Sequence, residues 1–156
     1  MTDEIVKELV ERINQELGEI PRVLARMNES WELFRRSNDD HFIDAVALNL
    51  HGFYLGIERI LTHVAETIDG NLPRGENWHL VLLEQMMTEV PKVRPAVIST
   101  KTVMKLDEYR RFRHVVRNVY TYNLDPAKVE KLVSSAPELF AQIKAELRAF
   151  ARFLEQ

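Results

Sequence analysis

The stretch Ile13-Asn14-Gln15-Glu16-Leu17-Gly18-Glu19-Ile20-Pro21-Arg22-Val23-Leu24-Ala25-Arg26-Met27-Asn28-Glu29-Ser30-Trp31-Glu32-Leu33-Phe34 decides the fold. Its apolar residues Ile13, Leu17, Ile20, Leu24, Met27, Trp31 and Phe34 follow one another at steps of four, three, four, three, four and three. On a helix of about 3.6 residues per turn, those positions fall on one stripe, a seam of the coiled-coil type. A half-buried strand would alternate at every second residue instead. Gly18 and Pro21 interrupt the composition but not the register. Pro21 removes a backbone donor and crowds the carbonyl of Leu17, so a kink is expected there. A true loop would usually shift the phase, which favours one long bent helix from about Asp3 to Arg36.

Working outward, Ser37-Asn38-Asp39-Asp40 supplies turn formers and N-cap candidates. A second long helix is expected from about Asp39 to Ile68, with Phe42, Ala45, Val46, Leu50, Phe53, Ile57, Ile60, Leu61 and Val64 on a broad apolar face. Gly70 is placed to cap its end. So short a link between two helices of similar length implies an antiparallel hairpin. Asp69 to Asn77 reads as the main irregular loop, followed by a shorter helix from about Trp78 to Thr88. Pro91 and Pro95 bracket the next connection. Ser99 or Thr100 can cap a fourth helix that runs to about Tyr120. Asp125-Pro126 is an N-cap with proline at the first helical position. The last helix holds Phe140, Ile143, Leu147, Phe150 and Leu154 in register, and Ser135-Ala136-Pro137 is a point where it can break in two. The expected fold is all-α: an antiparallel bundle of four to five helices with two long N-terminal ones, in a single domain spanning residues 1–156.

Composition agrees with a soluble, cytoplasmic protein. The chain has 46% hydrophobic and 29% charged residues, enough of each for a packed core and a solvated surface. No cysteine is present, which excludes disulfides and thiolate metal sites. No apolar run approaches the roughly 20 residues that span a bilayer, so no membrane association is expected. A net charge of −3 argues against a general nucleic-acid coat, although it leaves room for a small basic cleft.

One segment departs from that balance. Tyr109-Arg110-Arg111-Phe112-Arg113-His114-Val115-Val116-Arg117-Asn118-Val119-Tyr120 concentrates four arginines in an acidic chain. In helical register Arg110, Arg113, Arg117 and Tyr120 share one face, while His114 and Asn118 sit together on a neighbouring one. Like charges at this spacing cost a few tenths of a kcal/mol per pair. Such a cluster persists if something anionic fills it, since the guanidinium fork matches phosphate oxygens. It also persists if some of the 24 acidic residues neutralise it.

Other chemistry is sparse. His41, His51, His63 and His79 do not pair at the spacing of a helical metal site, so neither a metal nor a cofactor is expected. No Ser–His–Asp pattern and no glycine-rich phosphate loop is readable. Glu58 reads as an orienting partner for one of the arginines, through a bidentate pair. Trp78-His79 reads as a packing anchor after the loop, and Arg35-Arg36 as solvated.

Phe112 to Tyr120 followed by Asn123-Leu124-Asp125 resembles the signature of HepT-like HEPN proteins. So do Phe53-Tyr54-Leu55-Gly56-Ile57-Glu58-Arg59-Ile60, Asp69 to Gly75 and Trp78-His79, and the resemblance covers roughly residues 40 to 156. It implies a helical bundle that forms a two-fold homodimer. It also implies a toxin of the type VII toxin–antitoxin class, a metal-independent endoribonuclease acting on RNA where two motifs meet. The implied partner is a small nucleotidyltransferase antitoxin (MntA-like), which in some systems attaches AMP to the motif tyrosine. The family motif is an arginine, four arbitrary residues, a histidine, one arbitrary residue and a tyrosine. Here Arg113 takes the arginine slot and Tyr120 the tyrosine slot, while Asn118 stands in the histidine slot. Arg110, Arg117 and His114 are the implied RNA- or phosphate-binding neighbours.

Asn118 matters because RNA cleavage of this kind needs proton transfer to and from the reacting oxygens. Imidazole titrates near neutrality, whereas a carboxamide does not titrate in water. Three accounts stand side by side: a degenerate member that binds without cutting, a laboratory variant of a toxic enzyme, or partial substitution by His114 one turn earlier. Across classes, the readings are a ribonuclease toxin, a non-catalytic module that docks a nucleotidyltransferase or nucleotide, and a purely structural bundle. The last requires that Arg113 and Arg117 each be matched to a carboxylate of their own chain.

Overall fold

A computed structural model describes all of residues 1–156. Five α-helices follow in order: α1 (Asp3–Ser37), α2 (His41–Val64), α3 (Trp78–Met86), α4 (Thr100–Asn118) and α5 (Pro126–Leu154). The chain is all-helical, as its periodicity dictates. A π-helical turn, Ala65–Asp69, prolongs α2 to the capping glycine, and a short 3-10 turn, Thr121–Asn123, links α4 to α5. No helix is long and apolar enough to cross a membrane.

α1 and α2 form the expected antiparallel hairpin. Gly52 faces Val23, Gly56 faces Ile20 and Glu16, Arg59 donates to Glu16 at 2.9 Å, and Arg12 meets His63 at 3.4 Å, so one helix descends as the other rises. Gly56 permits the close approach: a β-carbon there would stand 3.2 Å from Ile20 Cγ1. The seam residues Ile13, Leu17, Ile20, Leu24 and Met27 are buried, whereas Trp31 and Phe34 are half-buried and pack on each other at 5.4 Å. α1 runs unbroken through Pro21, which is exposed. Asn38, in the left-handed conformation, ends α1.

The core is one cluster drawing on all five helices. Phe53 of α2 stands at its centre, edge-on to Tyr109 of α4 at 5.3 Å and to Phe140 of α5 at 6.5 Å. The Tyr109 hydroxyl donates to the Leu132 carbonyl at 2.8 Å, and burial pushes its pKa up to about 12. α5 does not break at Ser135-Ala136-Pro137. It continues as one helix, its apolar stripe from Val129 to Phe150 held against the bundle, so packing outweighs the hydrogen bond that Pro137 forfeits. α3 ends at Met86, two residues short of the expected Thr88.

Two polar devices fix α4. At its N-terminus Ser99 is the cap, and Glu146 of α5 accepts from the Ser99 backbone N–H and, at 2.6 Å, from the Thr102 hydroxyl. A carboxylate at that end also suits the helix dipole. Upstream, the Pro91–Pro95 connection is organised by Arg94, which is fully buried. Its guanidinium donates to both Asp69 oxygens at 2.6 and 2.8 Å, and to the carbonyls of Thr88, Pro95 and Gln85 at 2.9, 3.0 and 3.1 Å. That satisfies every N–H of the fork and ties the π-turn to the end of α3 and the start of the next loop.

Candidate functional site: the arginine face of α4

α4 ends at Asn118, and this corrects the expected alignment of Arg110, Arg113, Arg117 and Tyr120 on one face. Val119 and Tyr120 are extended, so Tyr120 leaves the helix face. The physical reason lies in the sequence. Asn118 Nδ2 donates to the His114 carbonyl at 2.7 Å, one turn back on the same helix. Val119, which follows, is β-branched and favours extended backbone. Tyr120 then stands 72% exposed, its ring stacked on Tyr122 at 5.5 Å with 6° between planes.

The four arginines divide into two pairs. Arg110 and Arg111 both bind Asp107, through Nε at 2.6 Å and through Nη2 at 2.7 Å respectively. Burial opposes the charge on Asp107, but these bonds outweigh it and hold the carboxyl below its usual range. Arg113 and Arg117 form no ion pair with any carboxylate of the chain.

Arg113 meets an imidazole instead. Its Nη1 lies 3.2 Å from Nε2 of His79, and Nδ1 of the same ring lies 2.7 Å from Glu58 Oε2. The expected direct pair between Glu58 and an arginine is therefore replaced by a relay through His79. His79 is correspondingly more than a packing residue, although its ring does lie on Trp78 at 3.7 Å. Arg113 Nε is buried without a hydrogen-bond partner, as is the hydroxyl of Tyr54. Burial first, then the Glu58 charge, push the Tyr54 phenol far above its ordinary pKa, so it remains neutral.

α2 presents His51, Tyr54 and Glu58 at steps of three and four to this side of α4. His51 is half-buried. Burial and then the charges of Arg113 and Arg117 lower its pKa below 6.5, with Glu58 opposing. The register of His51 with Glu58 was the sequence signal that could have marked it. His114 is exposed, with Asn118 Nδ2 at 3.4 Å from its Nδ1.

A cavity of about 460 Å³ lies on the opposite, α5-facing side of α4, lined by residues that include Phe112, Val115, Leu124 and Leu132. It shares none of Arg113, Arg117 and His79, so this hollow and the Arg113–Arg117 charge are separate features.

Comparison with known proteins adds the family. A family model described as HepT-like protein matches residues 45–154, a span that holds α3, α4, nearly all of α2 and α5, and every residue of the site. No curated protein and no solved structure matches the chain. With more than two thirds of its length under that match, the chain belongs to the HepT-like family.

Proposed function

We propose that this HepT-like protein is a toxin-type RNA-binding component of a toxin–antitoxin pair, with ribonuclease activity attenuated by Asn118. The observation that carries the reading is the uncompensated charge of Arg113 and Arg117. In an acidic chain with carboxylates to spare, these two guanidinium groups find none, while Arg110 and Arg111 share one. Arginine without an internal carboxylate partner, held beside imidazole, suits a phosphodiester.

In this reading a homodimer brings two such faces over one RNA strand. Cleavage proceeds by attack of a ribose 2′-oxygen on the adjacent phosphorus. The bond to the 5′-oxygen breaks, leaving a cyclic phosphate and a free 5′-hydroxyl. Arg113 and Arg117 stabilise the charge that builds on the phosphoryl oxygens. Asn118 holds the position where a proton would be exchanged, but its carboxamide is engaged with His114 and cannot titrate. Loss of that step costs about 10²–10⁴-fold in rate. Tyr120 and Tyr122, stacked and exposed, offer a surface for an unpaired base.

The exposure of Tyr120 also supports a second role, as acceptor of AMP from a nucleotidyltransferase antitoxin. There the phenolic oxygen would bond to the α-phosphorus of ATP, pyrophosphate would leave with the bonding electrons, and the proton would pass to the partner. The testing experiment compares the parent with Asn118→His on cellular RNA. The histidine variant should cut about 10²–10⁴-fold faster. Equal inactivity of both would count against the toxin reading.

A further inference from the structure

We infer that His79 is a positioning residue that fixes the Arg113 guanidinium for an anionic ligand while leaving its positive charge unneutralised. Its importance for RNA rests on the function proposed above; the positioning itself does not.

The hydrogen-bond chemistry determines the state of the ring. Guanidinium can only donate, so His79 Nε2, 3.2 Å from Arg113 Nη1, must accept. An imidazolium has no lone pair to accept with, so the ring is neutral and its hydrogen is on Nδ1. Nδ1 in turn donates to Glu58 Oε2 at 2.7 Å. The Glu58 side chain is 7% exposed and that of His79 is 16% exposed, and the Trp78 ring covers one imidazole face. A buried carboxylate thus selects the tautomer, and the tautomer selects the orientation of the arginine.

The contrast with Arg110 gives the arrangement its meaning. Asp107 orients Arg110 and cancels its charge in the same contact. A hydrocarbon at position 79 would leave the charge but not the orientation. Imidazole supplies orientation alone. Arg113 Nε, buried and without a partner, shows that the fork retains donor capacity beyond what the chain uses.

The test uses the full chain, nitrogen-resolved NMR and a fluorescent single-stranded oligoribonucleotide. In the ligand-free parent, His79 should show the Nδ1–H tautomer, and the two Arg113 Nη groups should give separate signals from hindered rotation. His79→Phe keeps a ring against Trp78 but removes the acceptor; those signals should merge, and oligonucleotide affinity should fall by about 10- to 100-fold. His79→Gln returns an acceptor near the Nε2 position and should restore affinity to within about threefold of the parent. A folded His79→Phe protein that binds like the parent would overturn the inference. So would an Nε2–H tautomer in the parent, a readout available even if the phenylalanine variant does not fold. If the NMR signatures hold while the parent binds no RNA, the positioning stands and the RNA reading fails.

Discussion

Arg110 donates to Asp107 at 2.6 Å, so the cation one turn before Arg113 is neutralised within its own helix. Asp107 takes Arg111 as well, at 2.7 Å. One carboxylate therefore separates the arginine run into an internally satisfied half and an open half. Replacing Asp107 by asparagine should release both cations. RNA affinity is expected to rise, and the dependence of log affinity on log salt to steepen by up to about 1.4 if both cations reach phosphate. Titration of a labelled oligoribonucleotide at several salt concentrations measures this, and an unchanged slope would show that Arg110 and Arg111 point away from the nucleic acid.

Arg94 and Asp69 carry a stability prediction. Their side chains are 0% and 8% exposed, and no polar group of the fork is left over. Arg94→Met leaves a buried carboxylate without its partner and should cost about 3–5 kcal/mol, read by urea denaturation at pH 7. Burial works against the Asp69 charge, but the bonds from Arg94 and Gln85 prevail and hold its pKa below 3.8. A depressed carboxylate contributes stability that is whole above its unfolded pKa and is lost as pH falls through the folded one. The parent should therefore lose stability below about pH 4 more steeply than Arg94→Met does.

His51 reports on occupation of the site. Burial, Arg113 and Arg117 depress its pKa below 6.5, and Glu58 is the charge that opposes them. The stability linked to this imidazole is complete above 6.5 and declines as pH drops through its folded value. An anion bound between the two arginines cancels part of their field and must raise the His51 pKa. Proton NMR titration with and without an oligoribonucleotide should show an upward shift, absent in Arg113→Ala with Arg117→Ala. A His51 titration indifferent to ligand would place the bound anion elsewhere.

Much of the fold was legible because helix periodicity and end signals are local. The seam from Ile13 to Met27, the Ser99 and Asp125 caps and the Gly70 terminus all follow from residues within a few positions of one another. What failed to show locally was tertiary. Pro137 would interrupt an isolated helix, yet α5 is carried through it by an apolar stripe packed on the bundle. α4 ends at Asn118 rather than Tyr120, where the extended Val119 takes the chain off the helix. At the site, the arginines were visible as composition, but which of them are neutralised was not. Asp107 is a local partner at three and four residues and could have been weighed. The His79 relay joins residues 58, 79 and 113 from three helices, and no spacing rule reaches across such separations.

In the proposed function, Arg113 and Arg117, unpaired with any carboxylate, take RNA phosphate. The most direct measurement is oligoribonucleotide binding across salt concentrations by two double variants. Arg113→Ala with Arg117→Ala should lose most of the affinity and flatten the salt slope by about 1.4, as expected for two phosphate contacts to a single strand. Arg110→Ala with Arg111→Ala should stay close to the parent in both. If the two variants lose equally, or if the Arg110 and Arg111 pair proves the more damaging, the open half of the helix is not the site.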